Sequence, residues 1–350
     1  MEEPQTRIVA AAYSGGRNVP SARLRVHQLE GALGCCGVEL RMRDALQSPY
    51  PPSTGSASRA RWAAREVAHR AAQVLQDRRD RPSVTLLQRE LLSTVPTLER
   101  LLPGPIVFDC DDAVWLPRNG LAAHTIARHA DLIVCGNDFL ADHFSAFGAT
   151  IVLPTAVDTT FYKVAHGPCD RPRIGWCGQS SGHRYLDQVA EPLGRVLETV
   201  HDAEFVVLSD RKPSLDLPSD RWRFVQWSLA TEADVLASLT VGIMPLDNTE
   251  WERGKCSYKM LSYLASGIPV VVSPVGMNAT VLGEADVGWG PRSIGEWTEA
   301  LMTCVTDRDQ ARRRGAAGRA LVQQRYSVPV IAERLSNALF DLTSRTHRAT

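Results

Sequence analysis

At 350 residues with 44% apolar side chains, the chain is long enough to bury two ordinary cores. Its 39 basic residues are balanced by 39 acidic ones, which offers no general field for nucleic acid or an anionic membrane, so any anion site must be local. The eight cysteines show neither CxxC spacing nor histidines at zinc-finger intervals, and they read as reduced thiols rather than a disulfide framework or a metal centre.

The polar start, MEEPQTR, precedes a strand, and no apolar run approaches a membrane span, so cytoplasm is the expected location. Residues 8–13 form an apolar strand, the turn Ser14-Gly15-Gly16 follows, and 23–33 then read as a helix. Gly15 and Gly16 would let backbone approach a ligand, although such a pair is also common in plain turns. Arg23, Arg25 and His27 lie on the helix behind that turn as candidate acceptor or phosphate contacts. Residues 48–58, SPYPPSTGSAS, lack periodicity and read as a loop. In the helix expected over 60–76, Ala63, Ala64, Val67, Ala71, Val74 and Leu75 form a sheet-facing stripe, leaving Glu66 and the arginines at 61, 65 and 70 in water. A basic helix of this kind also leaves peripheral membrane contact open.

Further strands are expected at 84–87, 106–108, 131–135 and 150–153, alternating with helical stretches, the pattern of a parallel sheet covered on both faces. Gln88-Arg89-Glu90 ends the second strand of the chain, 84–87, with Arg89 another acceptor-side candidate. The segment IVFDCDDAVW places Asp109, Asp111 and Asp112 at the end of a strand. Such carboxylates can bind a divalent metal, supply the nucleophile and acid of a dehalogenase-like phosphatase, position and deprotonate an acceptor hydroxyl, or cap a turn. Residues 163–172, KVAHGPCDRP, read as an interdomain linker. A second series of strands follows at 174–177, 205–208, 223–225, 241–244 and 270–273. Two such sheets would leave a cleft at the carboxyl ends of their strands. The last helix, 328–342, carries Ile331, Leu335, Leu339 and Leu342 on one side and is expected to clasp the domains.

The most informative stretch is 247–274, DNTEWERGKCSYKMLSYLASGIPVVVSP. Residues 257–266 read as a short helix with Met260, Leu261 and Leu264 as its apolar stripe, capped by Gly267 and followed by a buried strand. Arg253, Lys255 and Lys259 cluster at its start, where the positive end of the helix dipole disfavours cations unless an anion sits among them. A phosphate-bearing ligand resolves that conflict. Arg184, which follows the strand IGWCG and the turn QSSGH, can reach the same anion, and together these donors suit a departing diphosphate.

The run VGIMPLDNTEWERGKCSYKMLSYLASGIPVVVSPVGMN, with IGWCGQSS, ADLIVCGND and PTAVDTTFY, resembles glycosyltransferase family 4, the retaining nucleotide-sugar transferases of GT-B fold. The resemblance extends from about Ser21 to Tyr326 and is stronger in the second half. It implies an α/β architecture of two Rossmann-like domains, an acceptor-binding one over 1–165 and a donor-binding one over 172–327, with 328–350 as a C-terminal helix and tail packing back on the first domain. It implies no cofactor or metal, a nucleoside-diphosphate sugar as donor, and a hydroxyl-bearing acceptor. Carried onto this sequence, Arg184, Lys255 and Lys259 hold the diphosphate and Gly178 and Gln179 form the loop beneath it. The segment at Gln226 and Trp227 flanks the nucleobase, while Glu252 or Arg253 reaches the sugar. Many relatives have two glutamates with seven residues between them; here those positions are Gly254 and Ser262, and a serine would grip the ribose without charge assistance. Gln179 replaces a familiar arginine, and Asp111 or Asp112 stands for a strand-end histidine, making the pair candidates for acceptor-side chemistry.

The resulting expectation is a retaining glycosyltransferase in which Arg184 and Lys259 stabilise the leaving group and no enzyme carboxylate acts as nucleophile. Its rivals are a GT-B epimerase or phosphorylase-like enzyme and a non-catalytic nucleotide-sugar-binding subunit. The base, the sugar and the acceptor are not encoded in any motif above.

Overall fold

A computed structural model describes residues 7–47, 51–52, 55–164 and 171–349, with the side chains of Arg118 and 346–349 left aside. Residues 48–50 and 53–54 of the loop expected at 48–58, and most of the linker expected at 163–172, lie outside the described residues. The chain divides into two compact units. One comprises Met1–Ala156, Gly254–Cys256 and Val328–Thr350, and the other Val157–Arg253 and Ser257–Ser327.

The first unit is built on β1 (Ile8–Ser14), β2 (Val38–Asp44), β3 (Val84–Gln88), β4 (Ile106–Cys110), β5 (Leu132–Cys135) and β6 (Thr150–Val152), in the order β2-β1-β3-β4-β5-β6. All pairings are parallel. No strand is predicted at β2, whose sequence VELRMRD is half charged. It forms because Val38, Leu40 and Met42 alternate toward the core while Glu39 and Arg41 do not. The helix expected over 23–33 is broken into Pro20–Arg25, a 3₁₀ turn His27–Leu29 and Glu30–Cys35. The last helix, Val328–Ala349, inserts Ile331, Leu335 and Leu339 beside Val26, Leu29 and Leu33. Ser336 Oγ donates to Cys36 O at 3.1 Å and Arg334 Nη2 to Val152 O at 2.8 Å, so this helix packs back on the first unit.

The helix expected over 60–76 extends across Ser56–Asp80; Val74 is buried and Arg61 and Arg65 are exposed as expected, but the rest of the buried face differs from the prediction. Glu66 and Arg70 are buried at 0% and 3% exposure, whereas Leu75 is 59% exposed. The cause is hydrogen bonding: Glu66 accepts from the amides of Leu46 and Gln47, and Arg70 donates to the carbonyls of Ser14 and Arg43. Asp77 on the same face accepts from Tyr13 Oη at 2.7 Å and pairs with Arg43. Buried charge is tolerated here because every member finds a partner.

The second unit carries β7 (Arg173–Cys177), β8 (Glu204–Ser209), β9 (Trp222–Gln226), β10 (Val241–Met244), β11 (Val270–Val272) and β12 (Gly288–Trp289), in the order β12-β11-β10-β7-β8-β9. This is the doubly wound order, with its reversal between β7 and β10. Ile174, Trp176, Phe205, Val207, Val241 and Ile243 alternate into a core closed by Leu193, Leu197 and Leu301 from the covering helices.

Candidate functional site

Ligands of open parallel sheets bind beyond the carboxyl ends of the strands, where the strand order reverses. In the second unit that point lies after Cys177. Gly178 turns the chain there, and a Cβ on it would stand 2.3 Å from Lys259 Nζ and 2.8 Å from the Trp176 ring, so any side chain must displace the lysine from this space. Lys259 belongs to the first turn of the helix Tyr258–Ala265, and its Nζ lies 4.5 Å from the Trp176 ring centroid, a cation–π contact. The N-cap residue Ser257 has φ 49° and makes no side-chain cap, leaving the helix amides without that partner. Gln179 is exposed, with its carbonyl accepting from Gly182 N at 2.8 Å.

Arg184 rises from the 3₁₀ segment Ser180–Val189 beside this turn. Its Nη2 donates to Tyr185 Oη at 2.8 Å and Glu252 Oε1 at 3.0 Å, its Cζ lies 4.7 Å from the Tyr185 ring centroid, and its side chain is 61% exposed. Glu252, in the single helical turn Glu250–Arg253, is 1% exposed and also accepts from Tyr185 Oη and Thr249 Oγ1. The Glu252 carboxylate, expected to reach a donor sugar, is thus buried where it holds Arg184 and two hydroxyls. Sequence reasoning misses Tyr185 and Thr249, because neither stands in a charged cluster or a glycine turn.

Ser262, expected at the ribose, is 2% exposed, and its hydroxyl donates to Lys259 O at 2.8 Å within its own helix. Trp227 follows β9 and donates from Nε1 to Glu232 Oε2 at 2.9 Å, so its ring is held from one edge. Gln226 donates from Nε2 to Asp210 O at 3.2 Å. Arg253 is exposed and donates from Nε to Asn248 Oδ1 at 2.8 Å.

Two of the residues expected with this site are part of the first unit. A Cβ on Gly254 would meet Ala113 N at 2.8 Å, and Lys255 O accepts from Asn137 Nδ2 at 3.0 Å. The next residue, Cys256, donates from Sγ to Asp111 O at 3.0 Å, and burial pushes its thiol well up. A Cβ on Gly136 would lie 2.1 Å from that sulfur.

The strand ends of the first unit gather a second polar cluster. Its order reverses between β1 and β3, and the residues after those strands are Gly15-Gly16 and Arg89. Gly16 has φ 89° and donates its amide to Ser14 Oγ at 3.0 Å. Arg89 holds the left-handed conformation, φ 60°, a strain that persists only where surrounding contacts enforce it. Here they do: Nε donates to Asp111 Oδ1 at 2.7 Å and Nη2 to Asp112 Oδ2. Burial raises the Asp112 carboxyl, against the opposing pull of Arg89 and Lys255. Arg25, expected on the acceptor side, is 4% exposed, pairs with Asp109 and donates from Nη1 to Leu153 O at 2.8 Å, a tie between its helix, β4 and the residue after β6. Arg23 on the same short helix is half-buried. The three aspartates are thus divided between two arginines, and among the described residues no three His, Cys, Asp or Glu side chains gather as a metal shell.

A family model described as glycosyl transferases group 1 matches residues 171–307. No curated protein matches the sequence. Among solved structures, sucrose-phosphate synthase from Thermosynechococcus elongatus is similar at 15% identity, covering 97% of this chain and 100% of that one with a TM-score of 0.72. HepE of Anabaena in complex with UDP-glucose matches at 12% identity, 96% and 100% coverage and a TM-score of 0.65. WaaG, a glycosyltransferase involved in lipopolysaccharide biosynthesis, matches at 12% identity, 95% and 99% coverage and a TM-score of 0.64. At such identities the likeness shows the fold, which is α/β of the GT-B type. Residues 171–307 thus carry the match to glycosyl transferases group 1, on a chain whose fold is of the GT-B type.

Proposed function

We propose that this enzyme, a family 4 transferase, moves a sugar from a nucleoside-diphosphate sugar to an acceptor hydroxyl with retention of configuration. One observation carries the reading: at the strand-order reversal of the second unit, Gly178 clears space beneath Lys259 while Glu252 and Tyr185 hold the exposed Arg184. Fixed cations next to uncapped helix amides stabilise a diphosphate as its charge develops, with no reorganisation at the moment of bond breaking. The acceptor proton passes to a leaving-phosphate oxygen, so no carboxylate acts as nucleophile and no divalent metal is needed. Trp227 flanks the base, Gln179 and Gly178 underlie the phosphates, and Arg253 lies toward the sugar.

On the acceptor side, Gly15, Gly16, Arg23 and the Arg89–Asp111–Asp112 cluster position the hydroxyl, with Lys255 adding charge. HepE is seen with UDP-glucose, which makes uridine diphosphate the first donor to test. The proposed setting is the cytoplasm, and no helix among the described residues is long and apolar enough to cross a membrane.

The test is thermal stabilisation by UDP, GDP, ADP and their sugars, with and without a chelator. A ligand that binds only the folded state raises the melting temperature by mass action. One responding nucleotide whose effect survives chelation and disappears in Lys259→Ala supports the site. A response in the variant equal to that of the native protein overturns it.

A further inference from the structure

In a doubly wound unit each parallel crossover ordinarily lays a helix over the sheet. The first unit follows that rule between its other strands, but the connection from β3 to β4, residues 89–105, contains only the 3₁₀ turn Glu99–Leu101. Where a crossover helix would cover the sheet, a cavity of about 310 Å³ opens, lined by Leu87 and Ile106 from the strands, Pro96, Thr97, Glu99 and Arg100 from the connection, and Thr125, Ile126 and His129 from the next helix and its end.

Its walls differ sharply in chemistry. Leu87, Ile106 and Ile126 are buried at 1%, 8% and 2% exposure and give it an apolar floor. The one carboxylate in the lining, Glu99, is 5% exposed and already accepts from the amides of Leu91 and Thr97. Arg100 is exposed at the rim. His129 donates from Nδ1 to Thr125 O at 2.7 Å, which leaves Nε2 for another partner. An apolar floor, a cationic rim and a carboxylate whose oxygens are already engaged by backbone amides select for an amphipathic anion.

We propose that this cavity is a second binding site, separate from the proposed donor site, for a small molecule with a one- or two-ring apolar body and a carboxylate. The volume lies at the lower end of ligand pockets, about 300–1,000 Å³, and a two-ring body fills it. The carboxylate meets Arg100 and the rings cover Leu87 and Ile126. Because β3 continues from Leu87 into Gln88 and Arg89, the ligand abuts the strand whose end holds Asp111 and Asp112.

The experiment is calorimetric titration of the full chain with 1-naphthylacetate and with its neutral analogue 2-(1-naphthyl)ethanol. Expected are one site per chain and an affinity about 10-fold lower for the alcohol, the worth of one charge-assisted contact. Arg100→Ala should erase that preference while keeping the alcohol's affinity. Thr125→Trp, a substitution at a half-buried position that blocks the cavity, should abolish both titrations with the circular dichroism spectrum unchanged. Failure of the native protein to bind either compound at millimolar concentration overturns the proposal. So does naphthylacetate binding that persists unchanged in folded Thr125→Trp. Should Thr125→Trp not fold, Arg100→Ala alone decides, because equal preference for the acid in that variant also overturns the assignment.

Discussion

Arg184 and Glu252 stand 68 residues apart in the chain yet meet at 3.0 Å, one side chain 61% exposed and the other wholly buried. The buried carboxylate aims the exposed guanidinium, and Tyr185 and Thr249 keep the carboxylate satisfied when the arginine is removed. The two partners therefore respond differently to mutation. Arg184→Ala is expected to leave the melting curve nearly unchanged and lower transfer by about 10² to 10³, the typical effect of deleting one preorganised donor. Glu252→Ala orphans two hydroxyls and should cost about 1–3 kcal/mol of stability as well as turnover. Turnover near native in Arg184→Ala would remove it from the leaving-group machinery.

Gly178 offers a milder perturbation of the same site. An alanine there must displace Lys259 Nζ, the far end of a flexible chain, but also meets the Trp176 ring at 2.8 Å. We expect Gly178→Ala to fold and to weaken nucleotide-diphosphate binding by about 10-fold, roughly 1.4 kcal/mol, by pushing the ammonium off the indole face. Calorimetry with the responding nucleotide checks this. An unchanged affinity would mean that Lys259 does not touch the phosphates.

Where the pattern was local, the sequence was readable. Gly267 ends its helix with φ 71°, as a C-terminal glycine should, and Val241–Met244 is a strand with the predicted ends. Legibility failed where tertiary partners reassigned polar groups. Glu66, Arg70 and Asp77 look solvated on a helical wheel, and only their tertiary partners make burial favourable: the Leu46 and Gln47 amides for Glu66, the Ser14 and Arg43 carbonyls for Arg70, and the Tyr13 hydroxyl and Arg43 for Asp77. The pairing of Glu252 with Arg184 and of Arg25 with Asp109 was illegible for the same reason: a charged residue shows its partner only once the fold is known. Ser262 shows the converse, since its hydroxyl turns back on its own helix, which no residue pattern distinguishes from one that faces a ribose.

Arg89 pairs with both Asp111 and Asp112, and it opposes the effect of burial on the Asp112 carboxyl. Its removal should raise that carboxyl further. If ionised Asp112 positions the acceptor, the acid limb of kcat/KM moves to higher pH in Arg89→Ala and returns toward the native position in Arg89→Lys. A pH profile that keeps its acid limb while the rate falls uniformly would assign Arg89 to acceptor binding and leave Asp112 without a titrating role.

A last prediction concerns two imidazoles, His124 in the first unit and His183 in the second. Burial lowers both below their ordinary value of 6.5, with Arg128 adding to the effect at His124 and Lys259 at His183, where Asp210 opposes it. In the native chain His124 Nε2 lies 3.0 Å from His143 Nε2, and His183 Nε2 lies 2.9 Å from Ser209 Oγ. The first contact needs one nitrogen to donate and the other to accept, so protonating both rings destroys it. Because the folded state resists protonation, the unfolded chain binds more protons as pH falls through 6.5 and below, and stability present above that pH is progressively lost. The melting temperature should therefore fall between about pH 7 and about pH 5, and the slope should flatten in a His124→Asn, His183→Gln double variant, in which neither position can take up a proton. The difference between the two curves isolates these histidines from the carboxylates that titrate lower. Parallel curves for the native and double-variant proteins would show that neither imidazole is held neutral by the fold.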